Sequence, residues 1–220
     1  MDASGRRIFA SLTPVDPIAI GESVVRLLDA GVDGIHLDIA DGHFVPFVTF
    51  APQVVESLSR TTSCLLDVHL LVDDPEHYIP ALLDRGADRI AFHLEATRYP
   101  WRVVSALRVS KVEVGVAVNA ITPLAALEML AHEVDFVLVL ATDHTMNGDH
   151  GLPGAAERVR QLRAMLPKRV RLEVDGGVTM SNIADFAAAG ADDVVIGRAL
   201  IETPAWGAAV GRFRLRMQAA

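Results

Sequence analysis

Short apolar runs alternate with longer stretches of helical periodicity along the chain, and the junctions between them repeat one pattern. At three of these junctions a helical stretch ends at glycine, an aspartate comes two residues later, and an apolar run follows. Glycine tolerates the left-handed conformation at a helix C-terminus, and a short, continuous apolar run indicates a strand buried on both faces. The three junctions are residues 29–37, 85–92 and 188–196. They predict helix-to-strand connections of a parallel sheet.

Extending this pattern predicts eight strands separated by helices. The predicted strands are residues 8–12, 34–39, 64–70, 89–94, 113–118, 135–140, 171–174 and 193–197. Proline is favoured in the first turn of a helix, because that turn has no acceptor for its missing N–H. Residue–proline pairs mark predicted helix starts at 16–17, 51–52, 74–75, 122–123 and 203–204. Eight strand–helix units in a chain of 220 residues favour closure into a barrel.

The main alternative is an open, doubly wound sheet. Such a sheet carries a glycine-rich turn after its first strand, whereas residues 11–14 here read Ser-Leu-Thr-Pro. No linker, low-complexity tract or change of composition divides the chain. The sequence therefore predicts one α/β domain over residues 1–220, a single (β/α)8 TIM barrel.

The composition of the chain excludes some kinds of binding partner. The net charge is -8 and the pI is about 5.4, which argues against nucleic acid, because proteins that bind it carry clustered basic surfaces. Apolar runs are of strand length, so neither a membrane span nor a signal peptide is predicted. The single cysteine, Cys64, lies in an apolar run and has no partner for an intramolecular disulfide. We expect a cytoplasmic enzyme with a small-molecule substrate.

Active sites of (β/α)8 barrels lie at the C-terminal ends of the strands, which selects the polar residues that matter. His36 and Asp38 are two positions apart on one strand, so both side chains point inward at its end. With His69 and Asp175 they form a set of two imidazoles and two carboxylates, which suits one divalent ion: zinc first, then iron, manganese or cobalt. Other polar residues at the strand ends are Ser11, Asp41, His93, Glu95, Asn119, Asp143 and Arg198, and three glycines, Gly176, Gly177 and Gly197, lie beside them.

Residues 36–46, HLDIADGHFVP, strongly resemble the signature of the ribulose-phosphate 3-epimerase family. The similarity continues in family order through LDVHL at 66–70, FHLEA at 92–96, VAVNAITP at 116–123 and VDGGV at 174–178. It covers nearly the whole chain. The resemblance implies a (β/α)8 barrel of the ribulose-phosphate-binding type that inverts carbon 3 of a ketose phosphate and forms a homo-oligomer.

The resemblance also implies roles for individual residues. One divalent metal per subunit would be held by His36, Asp38, His69 and Asp175, and the two aspartates would act as acid and base on opposite faces of the sugar. Ser11 matches a serine that contacts substrate, and His69 is also predicted to bind substrate. Glycine N–H groups and an arginine fork are suited to an anion. The remaining substrate-binding residues are therefore predicted to be Gly176, Gly177, Gly197 and Arg198.

Two departures from the family pattern bear on the substrate. Three methionines that line the family's site are replaced by Ala40, Leu71 and Leu140, and residues 141–151 lack the glycine-rich phosphate loop. Asp143 and Asp149 in that segment would oppose a phosphate if they faced it. The alternative is therefore a related epimerase, isomerase or decarboxylase that acts on an acidic or unphosphorylated sugar.

Two further hypotheses have less support. The related decarboxylases and aldolases carry an Asp-x-Lys-x-x-Asp strand, but residues 38–41 contain no lysine. A barrel that binds a ligand without turnover would lack one of the acid, base or metal-ligating residues, and all four are present.

Overall fold

Eight parallel strands close into a barrel in chain order, with the first strand paired to both the second and the eighth. The computed structural model describes residues 5–143 and 151–220. The strands are β1 (Arg7–Ser11), β2 (Gly34–Ala40), β3 (Leu65–Leu71), β4 (Arg89–His93), β5 (Glu113–Val118), β6 (Phe136–Leu140), β7 (Arg171–Asp175) and β8 (Asp193–Ile196). The predicted (β/α)8 barrel is confirmed, and every strand end lies within one residue of its predicted position.

Helices cover the outside of the barrel. They are α1 (Ile20–Asp29), α2 (Pro52–Thr61), α3 (Pro75–Asp84), α4 (Pro100–Arg108), α5 (Ala155–Met165), α6 (Ile183–Ala189), α7 (Arg198–Ile201) and α8 (Trp206–Gln218). Between β5 and β6 the chain forms two short 3₁₀ turns, Leu124–Leu127 and Leu130–His132, in place of a regular α-helix. The strands' outward side chains and the helices' inner faces form the main apolar core.

Proline marks the start of α2 and α3, as predicted, and also begins α4 at Pro100, which the sequence reading missed. Pro17 opens a 3₁₀ turn directly before α1. The predicted helix start at Pro123 is wrong, because a 3₁₀ turn follows it. The start predicted at 203–204 is displaced by two residues: Pro204 follows the end of α7, where the Thr203 N–H closes the last turn on the Leu200 carbonyl, and α8 begins at Trp206. Proline is also common just after a helix, because it cannot continue one.

The repeated junction has a structural role that its sequence alone does not reveal. Its glycine has a positive φ at each of the three sites, as predicted. The aspartate two residues later accepts the backbone N–H of a residue near the start of the preceding strand. These bonds are Asp33 to Ile8, Asp88 to Leu66 and Asp192 to Leu172, each 2.8 Å long, and Asp135 makes the same bond to Val114. One carboxylate thus ties together each of four strand pairs: β1 and β2, β3 and β4, β5 and β6, and β7 and β8.

Charged side chains, enclosed by two aromatic rings, fill the end of the barrel opposite the strand C-termini. The Arg89 side chain is fully buried, and its guanidinium lies 2.7 Å from Glu173, 3.0 Å from Glu113 and 3.2 Å from Asp193. Asp67 is 3.4 Å away. Burying charges is costly unless they are paired and hydrogen-bonded, so these groups stabilise the barrel only as a complete set.

Two aromatic rings enclose the same guanidinium. The guanidinium carbon of Arg89, Cζ, lies 4.7 Å from the ring centre of Phe9 and 4.0 Å from that of Phe136, within the range of cation–π attraction. Each ring fits because the strand beside it carries a glycine: Gly34 lies next to Phe9, and Gly115 lies next to Phe136. A methyl group on Gly34 would approach the Phe9 ring to 2.5 Å, and one on Gly115 would collide with the Phe136 ring.

One proton held between two buried carboxyl groups accounts for the polar atoms of this layer that otherwise have no hydrogen bond. Asp67 Oδ1 and Glu173 Oε1 are buried and receive no hydrogen bond from a described donor. Burial, with the nearby carboxylates of Asp67 and Asp193, raises the pKa of Glu173 to about 8 despite Arg89. Burial alone would also raise the pKa of Asp67, but Arg89 and His36 hold it at about 2. Glu173 is therefore the protonated member, and its hydrogen is placed to bond to the Asp67 carboxylate.

We predict that the free energy of unfolding of Glu173→Gln rises relative to that of the parent protein as the pH increases from about 5 to 8. Across this window the unfolded state loses the Glu173 proton while the folded state keeps it, so the free energy of unfolding of the parent protein falls. Glutamine keeps the same shape, accepts from Arg89 and donates to Asp67 without titrating. Urea unfolding of both proteins at several pH values measures the difference. A gap that does not widen with pH would contradict the assignment of the proton.

Candidate active site

Four side chains predicted to act together meet at the C-terminal ends of β2, β3 and β7. Asp38 Oδ1 lies 3.2 Å from both His36 Nε2 and His69 Nδ1. Asp175 Oδ2 lies 3.9 Å from the same His36 nitrogen and 3.6 Å from the same His69 nitrogen. One nitrogen or oxygen of each residue falls within 4.8 Å of the others. The strand pairing explains the meeting, because Asp38 and His69 are direct partners across β2 and β3.

The electrostatics of the cluster favour a positive charge at its centre. Both imidazoles are fully buried, and the two carboxylates are 6–7% exposed. Burial lowers the pKa of His36 and His69, but the carboxylates of Asp38 and, at His69, Asp175 outweigh it and raise both. Likewise the two histidines hold the pKa of Asp38 well below its usual range despite burial.

This donor set fits a divalent ion. Two imidazole nitrogens and two carboxylate oxygens are typical ligands of zinc, iron, manganese and cobalt. Two carboxylates beside the same buried imidazole nitrogens repel one another unless a cation or protons lie between them. The structure therefore brings together the four residues His36, Asp38, His69 and Asp175, and their role as metal ligands stays a prediction.

The two oxygens of Asp38 have different surroundings. Oδ1 faces the histidines, whereas Oδ2 accepts hydrogen bonds from Thr13 Oγ1 at 2.7 Å and Ser11 Oγ at 3.3 Å. Ser11 was predicted here from its place at the end of the first strand, and the structure pairs it with His36 across β1 and β2. Thr13 was missed, although it follows Ser11 by two residues in the loop that leaves β1.

Each histidine of the cluster uses its other ring nitrogen to contact a polar residue. His36 Nδ1 lies 2.6 Å from Asp67 Oδ2, and His69 Nε2 lies 2.9 Å from His93 Nε2. His93 in turn contacts Glu95, with 3.0 Å between Nδ1 and Oε2. Asp67 was not predicted from the sequence. Its position two residues before His69 could have indicated it, because alternate residues of a strand face the same side.

Three other candidates lie outside the cluster. Asp41 organises the loop after β2, where its carboxylate accepts the backbone N–H groups of His43, Phe44 and Asp73. Asn119 donates its backbone N–H to Glu95. Asp143 is exposed, and its predicted neighbour Asp149 lies with residues 144–150 outside the described residues.

The predicted anion-binding residues lie at the ends of β7 and β8, on the same face as the cluster. Gly176 and Gly177 both have positive φ angles, 90° and 64°. Gly197 lies beside the end of β1, where a methyl group would make an ordinary contact of 3.7 Å with the Ser11 Cβ. Arg198 is the exposed first residue of α7. These positions are compatible with substrate contacts, which remain predictions.

Apolar side chains stand at the positions where the family pattern has methionine. Ala40 and Leu71 pack with Val45 and the partly buried Phe44 in a small cluster of their own. The Phe44 ring also lies against His93, with ring centres 4.7 Å apart. Leu140 packs with apolar residues inside the barrel. One wall next to the histidines is therefore apolar.

Comparison with known proteins identifies the family. The sequence model described as "Ribulose-phosphate 3 epimerase family" matches residues 7–201. The chain belongs to this family. It is 35% identical over 205 residues to ribulose-phosphate 3-epimerase 1 of Cupriavidus necator, covering 90% of this chain and 85% of that protein. It is 33% identical to ribulose-phosphate 3-epimerase of Escherichia coli K12, covering 90% and 89%. The expected enzyme class, a carbohydrate epimerase among the isomerases, is confirmed.

Solved structures agree on the fold. Orotidine 5'-phosphate decarboxylase from Pyrococcus horikoshii OT3 superposes with a TM-score of 0.70 at 18% identity, covering 97% of this chain and all of that one. KGPDC from Streptococcus mutans gives 0.73 at 15% identity, covering 97% and 98%. Within the described ranges, no helix of this epimerase-family chain has the length and apolar character that a membrane crossing requires.

Proposed function

We propose that this protein is a metal-dependent epimerase that inverts carbon 3 of a ketose phosphate. The candidate substrates are ribulose 5-phosphate, xylulose 5-phosphate or a related ketose phosphate. The observation that carries the proposal is the meeting of Asp38, Asp175, His36 and His69 at the mouth of a barrel that belongs to the epimerase family.

Inversion needs two groups with opposite protonation states. The hydrogen on carbon 3 leaves from one face of the sugar, and a proton returns on the other face. Asp38 on β2 and Asp175 on β7 come from well-separated strands and approach the same His69 nitrogen. One carboxylate takes the proton as base while the other, protonated, supplies one from the opposite face. Either can begin, depending on the epimer bound.

The other residues hold these two groups in place and shape the pocket. Thr13 and Ser11 hold Asp38 Oδ2, and a hydroxyl both donates and accepts, so it tolerates Asp38 with or without a proton. A divalent ion bound by His36, Asp38, His69 and Asp175 would supply positive charge where negative charge develops on the sugar oxygens.

Substrate recognition is assigned to the rim of the same pocket. We propose that Ser11 and His69 contact the sugar, and that the N–H groups of Gly176, Gly177 and Gly197 together with Arg198 bind the phosphate or another anion. Backbone N–H groups and a guanidinium fork both suit phosphate. Support comes from the placement of Gly197 against Ser11 and of the two other glycines directly after Asp175.

Proton exchange in deuterated water tests the function directly. The enzyme, loaded in turn with zinc, iron, manganese or cobalt, is incubated with a panel of ketose phosphates, free ketoses and acidic sugars, and deuterium at carbon 3 is followed by NMR. Deuterium uptake with inversion of a ketose phosphate is expected. Uptake only with an acidic or unphosphorylated sugar would favour the alternative substrate class, and no exchange on any compound would overturn the epimerase proposal.

We predict that metal removal lowers turnover by on the order of a hundredfold, because charge on the sugar oxygens is then uncompensated. Exhaustive chelation followed by re-addition of each candidate ion measures the effect, with the expected stoichiometry of one ion per chain. Full activity in a protein shown to be metal-free would contradict metal dependence. The homo-oligomeric state and the cytoplasmic location expected from the sequence stay predictions.

A further inference from the structure

His69 belongs to a hydrogen-bonded series that leads away from the four-residue cluster. Its Nε2 lies 2.9 Å from His93 Nε2, and His93 Nδ1 lies 3.0 Å from Glu95 Oε2. The two rings are stacked, with centres 5.0 Å apart, and both are fully buried. The series runs from β3 through β4 to the short turn that follows β4.

Glu95 is the fixed acceptor at the end of this series. It receives the backbone N–H of Asn119 at 2.9 Å and the hydroxyl of Thr122, besides the His93 ring. An ionised carboxylate can only accept, so it suits the N–H and the hydroxyl and requires a hydrogen on the His93 nitrogen that faces it. Consistent with this, these hydrogen bonds lower the pKa of Glu95 to about 2, although burial alone would raise it.

A metal ion needs a lone pair on the ring nitrogen that binds it, so His69 must be neutral when it acts as a ligand. With both rings neutral, a single placement of hydrogens satisfies the whole series. Because Glu95 accepts, His93 carries a hydrogen on Nδ1, which leaves a lone pair on Nε2 of its neutral ring. Two ring nitrogens 2.9 Å apart share a single hydrogen, so His69 carries that hydrogen on its own Nε2. The lone pair of His69 is then on Nδ1, the nitrogen that faces Asp38 at 3.2 Å and Asp175 at 3.6 Å.

We propose that Glu95 and His93 are positioning residues that fix the tautomer and ring orientation of His69, so that Nδ1 is presented as a metal ligand. Neither residue belongs to the set of four candidate metal ligands. The inference rests on the metal site of the proposed function, but it requires no particular sugar. Residues that orient a metal-binding histidine typically change metal affinity by about 10- to 100-fold when replaced.

Zinc affinity of matched variants tests this assignment, measured by competition with a chromophoric chelator. His93→Phe keeps an aromatic ring against Phe44 but removes the acceptor, and we expect zinc to bind about 10- to 100-fold more weakly. His93→Gln places an amide oxygen near the position of Nε2 and should keep affinity within about threefold of the parent. Glu95→Leu should weaken binding in the same direction, because His93 can then adopt its other tautomer.

Nitrogen-15 NMR of the zinc-loaded parent protein gives a second readout that needs no variant to fold. His69 should show a hydrogen on Nε2 and zinc on Nδ1, and His93 a hydrogen on Nδ1. A hydrogen on His69 Nδ1, or equal losses of affinity in His93→Phe and His93→Gln, would overturn the assignment. If the parent bound no divalent ion, the metal dependence in the proposed function would fail as well; if it bound zinc as assigned but epimerised no sugar, only the proposed reaction would fail.

Discussion

Asp38→Asn and Asp175→Asn are each expected to lower the turnover number for epimerisation by on the order of a thousandfold or more. Asparagine keeps the size of the side chain but neither takes nor gives a proton at working pH, and general acid–base catalysis contributes about 10²- to 10⁴-fold for each group. A weakened metal site adds to the loss. Steady-state rates at saturating metal, with the bound metal measured in each variant, check the prediction.

Deuterium exchange separates the two carboxylates. With one of them replaced, the remaining base still faces one side of the sugar, so each variant should retain slow exchange with one epimer and none with the other. Asp73→Asn is the matched control, because Asp73 is exposed in the loop after β3 and its described hydrogen bond uses only the backbone N–H. Inversion at the parent rate in either active-site variant would contradict the two-base mechanism.

The core of the site was predictable because its signal is local in the sequence. His36 and Asp38 alternate on one strand, and a strand period of two puts both on the inner face. Asp67 and His69 on β3, and Glu173 and Asp175 on β7, repeat that spacing. In both pairs the first residue was overlooked. How deep Asp67 and Glu173 lie below the mouth of the barrel depends on the stagger of neighbouring strands. That stagger follows from closure of the whole barrel, so the sequence of one strand does not reveal it.

The strands were predictable for a similar reason, and the loops were not. A strand buried on both faces shows as a short apolar run, so its ends fall close to the prediction. Thr13 illustrates the difficulty with loops. Its hydroxyl reaches Asp38 at 2.7 Å from a segment with no regular period, so only the three-dimensional path of the chain after β1 brings the two together.

Proline gave mixed information because one residue serves two structural positions. Pro75 begins a helix, and Pro204 follows one. Both fit a backbone with a fixed φ and no N–H, and the residues between Pro204 and the next periodic stretch decide which applies. The segment after Pro123 had the apolar spacing of a helix, but its short turns close with bonds between residues three apart.

Arg89→Met is expected to lower the free energy of unfolding by about 3–5 kcal/mol, because removing one partner from a buried ion network leaves the others uncompensated. Asp67 and Asp193 would remain as buried anions, and the space between Phe9 and Phe136 would lose its cation. This is a large part of the roughly 5–15 kcal/mol that stabilises a typical domain. Urea unfolding at pH 7 measures the change.

Arg102→Met is the matched control for this substitution. Arg102 forms an ion pair of 2.9 Å with Glu76, but its side chain is 74% exposed, so its loss should change stability by less than about 1 kcal/mol. A loss of less than about 1 kcal/mol in Arg89→Met as well would mean that water enters the barrel and solvates the remaining carboxylates. Because Asp67 contacts both Arg89 and the metal-facing His36, such hydration would also loosen the support of the active site from below.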